Sequence, residues 1–315
     1  MSYAADTLAI VGLGLIGGSL ARALRENGFS RRFIGCGHRR ASLQRGVELG
    51  VIDSYTLDVD EALAQADILV ICTPTLVAAE LLRQILPRLT AVHSNTVITD
   101  VASVKGNLRD AALSVDGRMP PRLVLGHPIA GSERSGVDAS DAKLFVDHRV
   151  ILTPEPGNDP DAVALIRAMW RSVGAQVLQM SVADHDAVLA ATSHLPHVLA
   201  YTLVDALARS SASDDIFRYA AGGFRDFTRI ASSDPVMWRD IAIANRPALL
   251  HAIDNFSVHL GQLREAVAAA DAQQLHDTFA RAKRARDGCA ETLSGDAPGA
   301  ASGNTKTAAC DSGKD

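Results

Sequence analysis

The side chain best suited to acid–base chemistry in this sequence is His127, in the glycine-rich segment 126–131 (GHPIAG). The apolar residues 123–125 predict a strand, so His127 is expected where that strand ends. Imidazole exchanges protons near neutral pH, and taking a hydride from a carbon that bears a hydroxyl leaves a proton on the oxygen. The alternative is a histidine that only satisfies local backbone groups. We favour the first interpretation, which makes His127 a candidate catalytic residue.

A glycine pattern near the first residues of the chain predicts a dinucleotide site. Gly12, Gly14 and Gly17 follow the apolar run 8–11 and open a segment with helical spacing. In a strand–turn–helix, the first glycine allows the turn, the second admits a pyrophosphate and the third lets the helix pack on the strand. A structural turn is the alternative. The predicted cofactor contacts in this loop and at the ends of the predicted strands 67–73 and 96–100 are Gly12, Gly14, Leu15, Ile16, Gly17, Thr73, Pro74 and Ser103.

The end of the second predicted strand bears on which dinucleotide binds. An NAD site commonly carries an acidic residue there, about twenty residues beyond the glycines, to hold the ribose hydroxyls. Here the residues are Gly37, His38, Arg39 and Arg40. Arginine suits a phosphate group, so this segment favours NADP over NAD. Alternatively, the arginines are a solvated helix start and other groups hold NAD.

Further polar candidates lie in the later part of the chain. His194 and His197 are three residues apart on one helix face, with Pro196 between them to interrupt the helix. A metal site needs more ligands than these two, so substrate contact or core hydrogen bonding is the favoured role. Segment 221–240 concentrates arginines and aspartates after a Gly-Gly turn, which indicates an anion site for a carboxylate substrate.

The elements that must position these residues fall into two classes. Strand and helix signals alternate through residues 1–182, which predicts an α/β fold with a Rossmann-like, doubly wound, mostly parallel sheet. Residues 183–293 predict an all-helical C-terminal domain for substrate binding and dimerisation, and 294–315 a disordered tail. Because the predicted helix 184–209 is apolar on nearly all sides, a second copy of the chain is expected to cover it.

The composition indicates which classes of ligand and which cellular location to expect. The formal net charge is −5 without a long basic block, so a small molecule is expected rather than nucleic acid or an anionic membrane. Polar residues interrupt the apolar helix 184–209, which argues against membrane insertion, and a cytoplasmic location is expected. The cysteines Cys36, Cys72, Cys289 and Cys310 lack metal or disulfide spacing and are expected to be reduced thiols.

The combination of motifs resembles one enzyme family, the prephenate/arogenate (cyclohexadienyl) dehydrogenases of TyrA type in tyrosine biosynthesis. The resemblance covers roughly residues 7–290. It rests on the glycine loop, on 99–106 (TDVASVKG), 126–136 (GHPIAGSERSG), 193–197 (SHLPH) and 223–229 (GFRDFTR). The resemblance implies oxidative decarboxylation of a cyclohexadienol, with hydride transfer to NAD(P).

The resemblance also implies roles for individual residues. His127 is similar to the histidine that accepts a hydrogen bond from the substrate hydroxyl, and Ser103 to the serine that orients it. Arg229 resembles the arginine that binds a substrate carboxylate, and His197 a further active-site histidine. The remaining matches are Glu133 and Asp226, which restrict access to the pocket, and Trp238, which approaches it from the partner subunit.

Two other functions fit the residues alone. A β-hydroxyacid or pyrroline-carboxylate type oxidoreductase shares the predicted architecture, and a non-catalytic NAD(P)-binding sensor would need the glycine loop without His127 or Arg229. Neither prephenate nor arogenate is favoured by a particular residue.

Overall fold

The computed structural model describes residues 4–89, 95–131, 134–211 and 213–288. Its central feature is a six-stranded parallel sheet in the order β3-β2-β1-β4-β5-β6. The strands are β1 (Ala5–Val11), β2 (Ser30–Cys36), β3 (Ser54–Thr56), β4 (Ile68–Ile71), β5 (Val97–Asp100) and β6 (Leu123–Val124). This order confirms the predicted Rossmann-like, doubly wound sheet, which places the ends of β1, β2, β4 and β5 at one edge.

Helices cover both faces of this sheet. They are α1 (Leu15–Glu26), α2 (Arg40–Glu48), α3 (Val59–Gln65), α4 (Thr75–Ile85), α5 (Gly106–Asp116) and α6 (Pro160–Ser172). Leu8 and Ile10 of β1 belong to one hydrophobic cluster, and Ala9 and Val11 to another. Successive side chains of a strand point to opposite faces, so both faces of the sheet are buried. The strand β3 and the helices α3 and α5 lie outside the elements predicted from the sequence.

His127 was expected at the end of the predicted strand 123–125, but it lies within a separate short strand. A separate three-stranded sheet contains β7 (Gly126–Pro128), β8 (Arg149–Leu152) and β9 (Gln176–Gln179). His127 is the middle residue of β7 and pairs with Ile151 of the antiparallel β8. Backbone hydrogen bonds between β7 and β8 therefore hold the segment that carries His127.

The later part of the chain is helical, as predicted. It contains α7 (Val182–Leu189), α8 (Leu195–Ala208), α9 (Ser213–Arg218), α10 (Gly222–Thr228), α11 (Pro235–Ala244), α12 (Arg246–Ala268) and α13 (Ala272–Gly288). A π-helical turn at Ala190–His194 joins α7 to α8 just before Pro196. Proline lacks an N–H, which accounts for the irregular turn and confirms the predicted interruption. The helix α10 begins at Gly222, so the two glycines that were expected to form a turn are its first two residues.

The chain divides by its contacts into two compact units, residues 1–256 and 257–315. The predicted disordered tail, residues 294–315, lies outside the described residues. Among the described residues, one continuous helix, Val182–Ala208, is long and apolar enough to span a membrane by length and composition alone. Of the α8 residues only Ala200 is fully buried within this chain, and the large apolar residues of this helix are half-buried or, at Leu203, exposed.

Candidate active site

The glycine loop between β1 and α1 has the geometry that a dinucleotide site needs. Gly12 has φ +98°, and a Cβ added there would lie 2.7 Å from the Cys72 carbonyl oxygen. A Cβ on Gly17 would lie 2.5 Å from the Gly12 carbonyl oxygen, so this position requires glycine for close helix–strand packing. A Cβ on Gly14 would meet open space. Two glycines thus maintain the turn, and the third leaves room for a ligand.

The first turn of α1 is suited to an anion. Its N-cap is Gly14, and its first turn consists of Leu15, Ile16 and Gly17, which bring no acidic group. The N–H groups of a helix N-terminus carry a partial positive charge. At the neighbouring strand end, Thr73 and Pro74 connect β4 to α4, and the buried Thr73 hydroxyl lacks a hydrogen-bond partner among the described residues.

The basic segment after β2 is on the same edge. Gly12 donates its N–H to the carbonyl oxygen of Cys36, the last residue of β2, at 2.8 Å. His38, Arg39 and Arg40 follow directly and are all exposed, with α2 starting at Arg40. Their side chains are therefore accessible where the second ribose of a dinucleotide is held in this fold.

His127 is connected to a second histidine that sequence reasoning did not identify. Its Nδ1 lies 2.9 Å from Nε2 of His185, and Nδ1 of His185 lies 2.7 Å from Oδ1 of Asp186. His127 is 8% exposed and His185 is fully buried. The contact with His185 uses Nδ1 of His127, which leaves Nε2 as the ring nitrogen for a ligand.

Asp186 also joins the start of α5 to α7. Its Oδ1 accepts the N–H of Lys105 at 2.9 Å, and its Oδ2 accepts the N–H of Gly106 at 2.8 Å. Burial raises the pKa of Asp186, but the hydrogen bonds from His185 and from these two N–H groups outweigh it and leave the pKa below 3.8. Asp186 is therefore a carboxylate at neutral pH and acts only as an acceptor.

A buried ion pair underlies His127. The ammonium group of Lys105 pairs with Asp100 at the end of β5, and both side chains are fully buried. The same ammonium donates to the Gly126 carbonyl oxygen at 2.6 Å, while Asp100 Oδ1 accepts the Gly126 N–H at 3.1 Å. Because breaking a buried pair leaves an uncompensated charge, these contacts firmly position the residue before His127.

This environment keeps His127 neutral. Burial holds the pKa of His127 well below its usual 6.5, and the nearby His185 and Lys105 lower it further. A neutral imidazole has one N–H and one lone pair, so His127 can accept a hydrogen bond through one of its nitrogens.

A second cluster lies on α8 and α11. The ring of His197 stacks on the indole of Trp238, with centroids 3.5 Å apart and an interplanar angle of 17°. His197 Nδ1 lies 2.9 Å from the Ser193 carbonyl oxygen, and the buried indole N–H of Trp238 lacks an acceptor within the described ranges. Trp238 thus packs on His197 of its own chain.

His194 has the core hydrogen-bonding role. Its Nδ1 lies 3.0 Å from Nδ2 of Asn245, and that Nδ2 also donates to the Asp186 carbonyl oxygen at 2.8 Å. A carbonyl oxygen can only accept, so Asn245 presents its NH2 group to His194 as well. Burial lowers the pKa of His194 to about 4.

The other predicted substrate residues differ in their surroundings. Arg229 follows α10 and is exposed. The pKa of His197 is lowered mainly by burial, and the nearby charge of Arg229 lowers it further, while the hydrogen bond to the Ser193 carbonyl oxygen raises it. Asp226 of α10 is exposed beside Arg225. Ser103 is half-buried between β5 and α5. Glu133 lies outside the described residues.

Sequence reasoning missed His185, Asp186 and Asn245 and gave Lys105 no role of its own. The available signal was the acid–histidine–acid triplet 184–186 at the start of a helix. Within the part of the chain that the structure describes, no group of three or more histidine, cysteine or acidic side chains could hold a metal ion. Cys36 and Cys72 are free thiols, while Cys289 and Cys310 lie outside the described residues.

Two protein-family models match consecutive parts of the chain. The "Prephenate dehydrogenase, nucleotide-binding domain" model matches residues 20–179, and the "Prephenate dehydrogenase, dimerization domain" model matches residues 181–281. The chain belongs to the prephenate dehydrogenase family. This confirms the resemblance of the motifs and decides against the alternative oxidoreductase classes.

Relatives of this family match nearly the whole chain. A cyclohexadienyl dehydrogenase of Zymomonas mobilis is 37% identical, over 89% of this chain and 94% of the relative. The crystal structure of A. aeolicus prephenate dehydrogenase with hydroxyphenyl propionate and NAD+ is similar with a TM-score of 0.83 and 36% identity, covering 91% and 98% of the two chains. Synechocystis arogenate dehydrogenase gives a TM-score of 0.75 and 30% identity, covering 89% and 99%.

Proposed function

We propose that this protein is an NAD(P)-dependent prephenate or arogenate dehydrogenase that acts in tyrosine biosynthesis by oxidative decarboxylation. The family membership supports the reaction class. The single observation that carries the chemistry is the neutral, buried His127, which keeps Nε2 available beside the cofactor edge of the sheet.

The cofactor fits the glycine loop. Gly14 leaves open space before α1, and the first turn of α1 offers N–H groups for the pyrophosphate. Thr73, Pro74 and Ser103 are the proposed contacts at the ends of β4 and β5. When bound, the nicotinamide supplies the hydride acceptor.

The substrate residues are proposed to act through charge and shape. Arg229 binds a substrate carboxylate, and His197 with Trp238 forms a flat surface against which the ring and side chain lie. Ser103 orients the substrate hydroxyl and His127. Asp226 and Glu133 restrict access to the pocket.

His127 is proposed to hold the hydrogen of the substrate hydroxyl during hydride loss. As the hydride leaves the carbon that bears the hydroxyl, positive charge grows on that oxygen, and Nε2 of His127 stabilises it by accepting the hydrogen bond. The ring carboxylate leaves as carbon dioxide, and its bonding electrons make the ring aromatic. The hydroxyl hydrogen ends on the phenol oxygen, so His127 is neutral before and after the reaction.

NADP is the proposed preferred cofactor. His38, Arg39 and Arg40 are exposed after β2, where a 2′-phosphate would lie. Replacing Arg39 and Arg40 together by Ala should raise the KM for NADP about tenfold or more, the cost of one charged hydrogen bond, with a smaller effect on NAD. Equal effects on both cofactors would contradict the proposal.

The protein is proposed to be a cytoplasmic homodimer. The incomplete burial of the apolar residues of α8 and the match of residues 181–281 to a dimerization model support this assembly. The proposed domain limits are those expected from the sequence: residues 1–182, 183–293 and the tail 294–315.

A direct assay tests the function. Purified protein is mixed with NAD or NADP and with prephenate or arogenate, and the absorbance of the reduced cofactor is followed. His127→Asn should lower kcat by roughly 10²-fold with a modest change in KM, because the shorter amide can keep the contact with His185 but places no acceptor at the position of Nε2. Cofactor binding without reduction by either substrate would favour a sensor instead.

A further inference from the structure

The pair His185 and Asp186 at the centre of α7 is connected to His127 of β7 through His185. His185 is fully buried, with one ring nitrogen on Asp186 and the other on His127. A buried imidazole with both nitrogens engaged has a fixed orientation. Its protons must also be distributed in one definite way along the chain from Asp186 to His127.

Asp186 determines the first step of that distribution. Its carboxylate accepts from the N–H groups of Lys105 and Gly106, and it has only acceptors to offer His185. Nδ1 of His185 therefore carries a hydrogen and donates it to Asp186 at 2.7 Å.

The second step follows for a neutral His185. A neutral imidazole with a hydrogen on Nδ1 has a lone pair on Nε2, so the 2.9 Å contact is completed by a hydrogen on Nδ1 of His127. Nε2 of His127 is then the nitrogen with the lone pair. With a charged His185 the order would reverse, and Nε2 of His127 would carry a hydrogen.

We propose that His185 and Asp186 are positioning residues that hold His127 in the tautomer with hydrogen on Nδ1, so that Nε2 accepts the substrate hydroxyl. The proposal rests on the proposed function. Its physical basis is that a second hydrogen-bond partner fixes which imidazole nitrogen is the base.

Two variants distinguish the loss of the hydrogen-bond acceptor at His185 from the loss of side-chain volume. His185→Gln places an amide oxygen near the position of Nε2 and can still accept from His127, whereas His185→Leu fills part of the volume without an acceptor. His148→Gln is the matched control, because the His148 side chain is exposed. We expect His185→Leu to lower kcat roughly 10²-fold at nearly unchanged KM, His185→Gln to retain most activity, and the control to match the wild type.

The position of the hydrogen on the His127 ring distinguishes the two roles, because a purely structural role of His185 predicts no change of tautomer in the variants. In 15N-histidine-labelled full-length protein, the ring nitrogen shifts of His127, assigned with His127→Asn, should report hydrogen on Nδ1 in the wild type and in His185→Gln. His185→Leu should populate the other tautomer.

Hydrogen on Nε2 of His127 in the wild type would overturn the proposal, as would a His185→Leu protein with wild-type kcat. If His185→Leu does not fold, the wild-type spectrum and His185→Gln decide on their own. If the wild type reduces neither cofactor with either substrate, the proposed function fails, while the ring nitrogen shifts still test the tautomer.

Discussion

The hydrogen bond between Asn245 and His194 makes the stability of the protein depend on pH in a definite direction. Nδ1 of His194 accepts from Asn245, so protonation would place two donors against each other inside the core. Burial accordingly lowers the pKa of His194 from 6.5 to about 4. At acid pH His194 therefore binds a proton more readily in the unfolded chain than in the folded chain.

The sign and size of the effect follow from proton linkage. Because the folded pKa is the lower one, the contribution of His194 is complete above about pH 6.5 and is lost as the pH falls toward 4. At about pH 5 nearly all unfolded molecules and about a tenth of folded ones carry this proton. The free energy of unfolding should therefore fall by about 2 kcal/mol between about pH 7.5 and pH 5 from this residue alone.

Urea unfolding of the wild type and of His194→Asn tests this magnitude. Asn can still accept from Asn245 at the position of Nδ1 but does not titrate, so its loss of stability between the two pH values should be about 2 kcal/mol smaller. Tryptophan fluorescence reports unfolding, since Trp238 lies 6.1 Å from His194 between ring centroids. Both proteins are compared at one protein concentration, because the stability of the proposed dimer would depend on concentration. Equal losses in the two proteins would refute the reasoning.

Two further predictions concern the cofactor loop and the anion site. Gly17→Ala should lower the free energy of unfolding by about 1–3 kcal/mol, because its Cβ would lie 2.5 Å from the Gly12 carbonyl oxygen. Gly14→Ala should keep wild-type stability in urea but weaken cofactor binding in a fluorescence titration, since its Cβ enters open space; equal stability losses in both would contradict the assignment of the turn. Arg229→Ala should raise the substrate KM about tenfold or more at similar kcat in steady-state assays. The control Arg209→Ala, which changes an exposed arginine, should leave the KM unchanged. An unchanged KM in Arg229→Ala would reject the carboxylate-binding role.

Local sequence was sufficient to predict the glycine loop and the parallel sheet of the dinucleotide-binding domain. Gly12 has a positive φ and Gly17 packs against the Gly12 carbonyl oxygen within the same turn, so the type and spacing of the residues were sufficient to predict the loop. The alternation of strands and helices likewise predicted the parallel sheet. His127 was recognised as a base from its type and neighbours, although its place in the middle of β7 was not.

The tertiary structure alone decided what surrounds His127. Lys105 and Asp186 are 81 residues apart, yet their contact joins the start of α5 to α7. His185 is 58 residues from His127 and meets it only because the second sheet and α7 pack together. Hydrogen bonds between such distant residues depend on the packing of whole elements, which periodicity does not encode, and so the sequence showed a histidine while the fold decided which of its nitrogens can act.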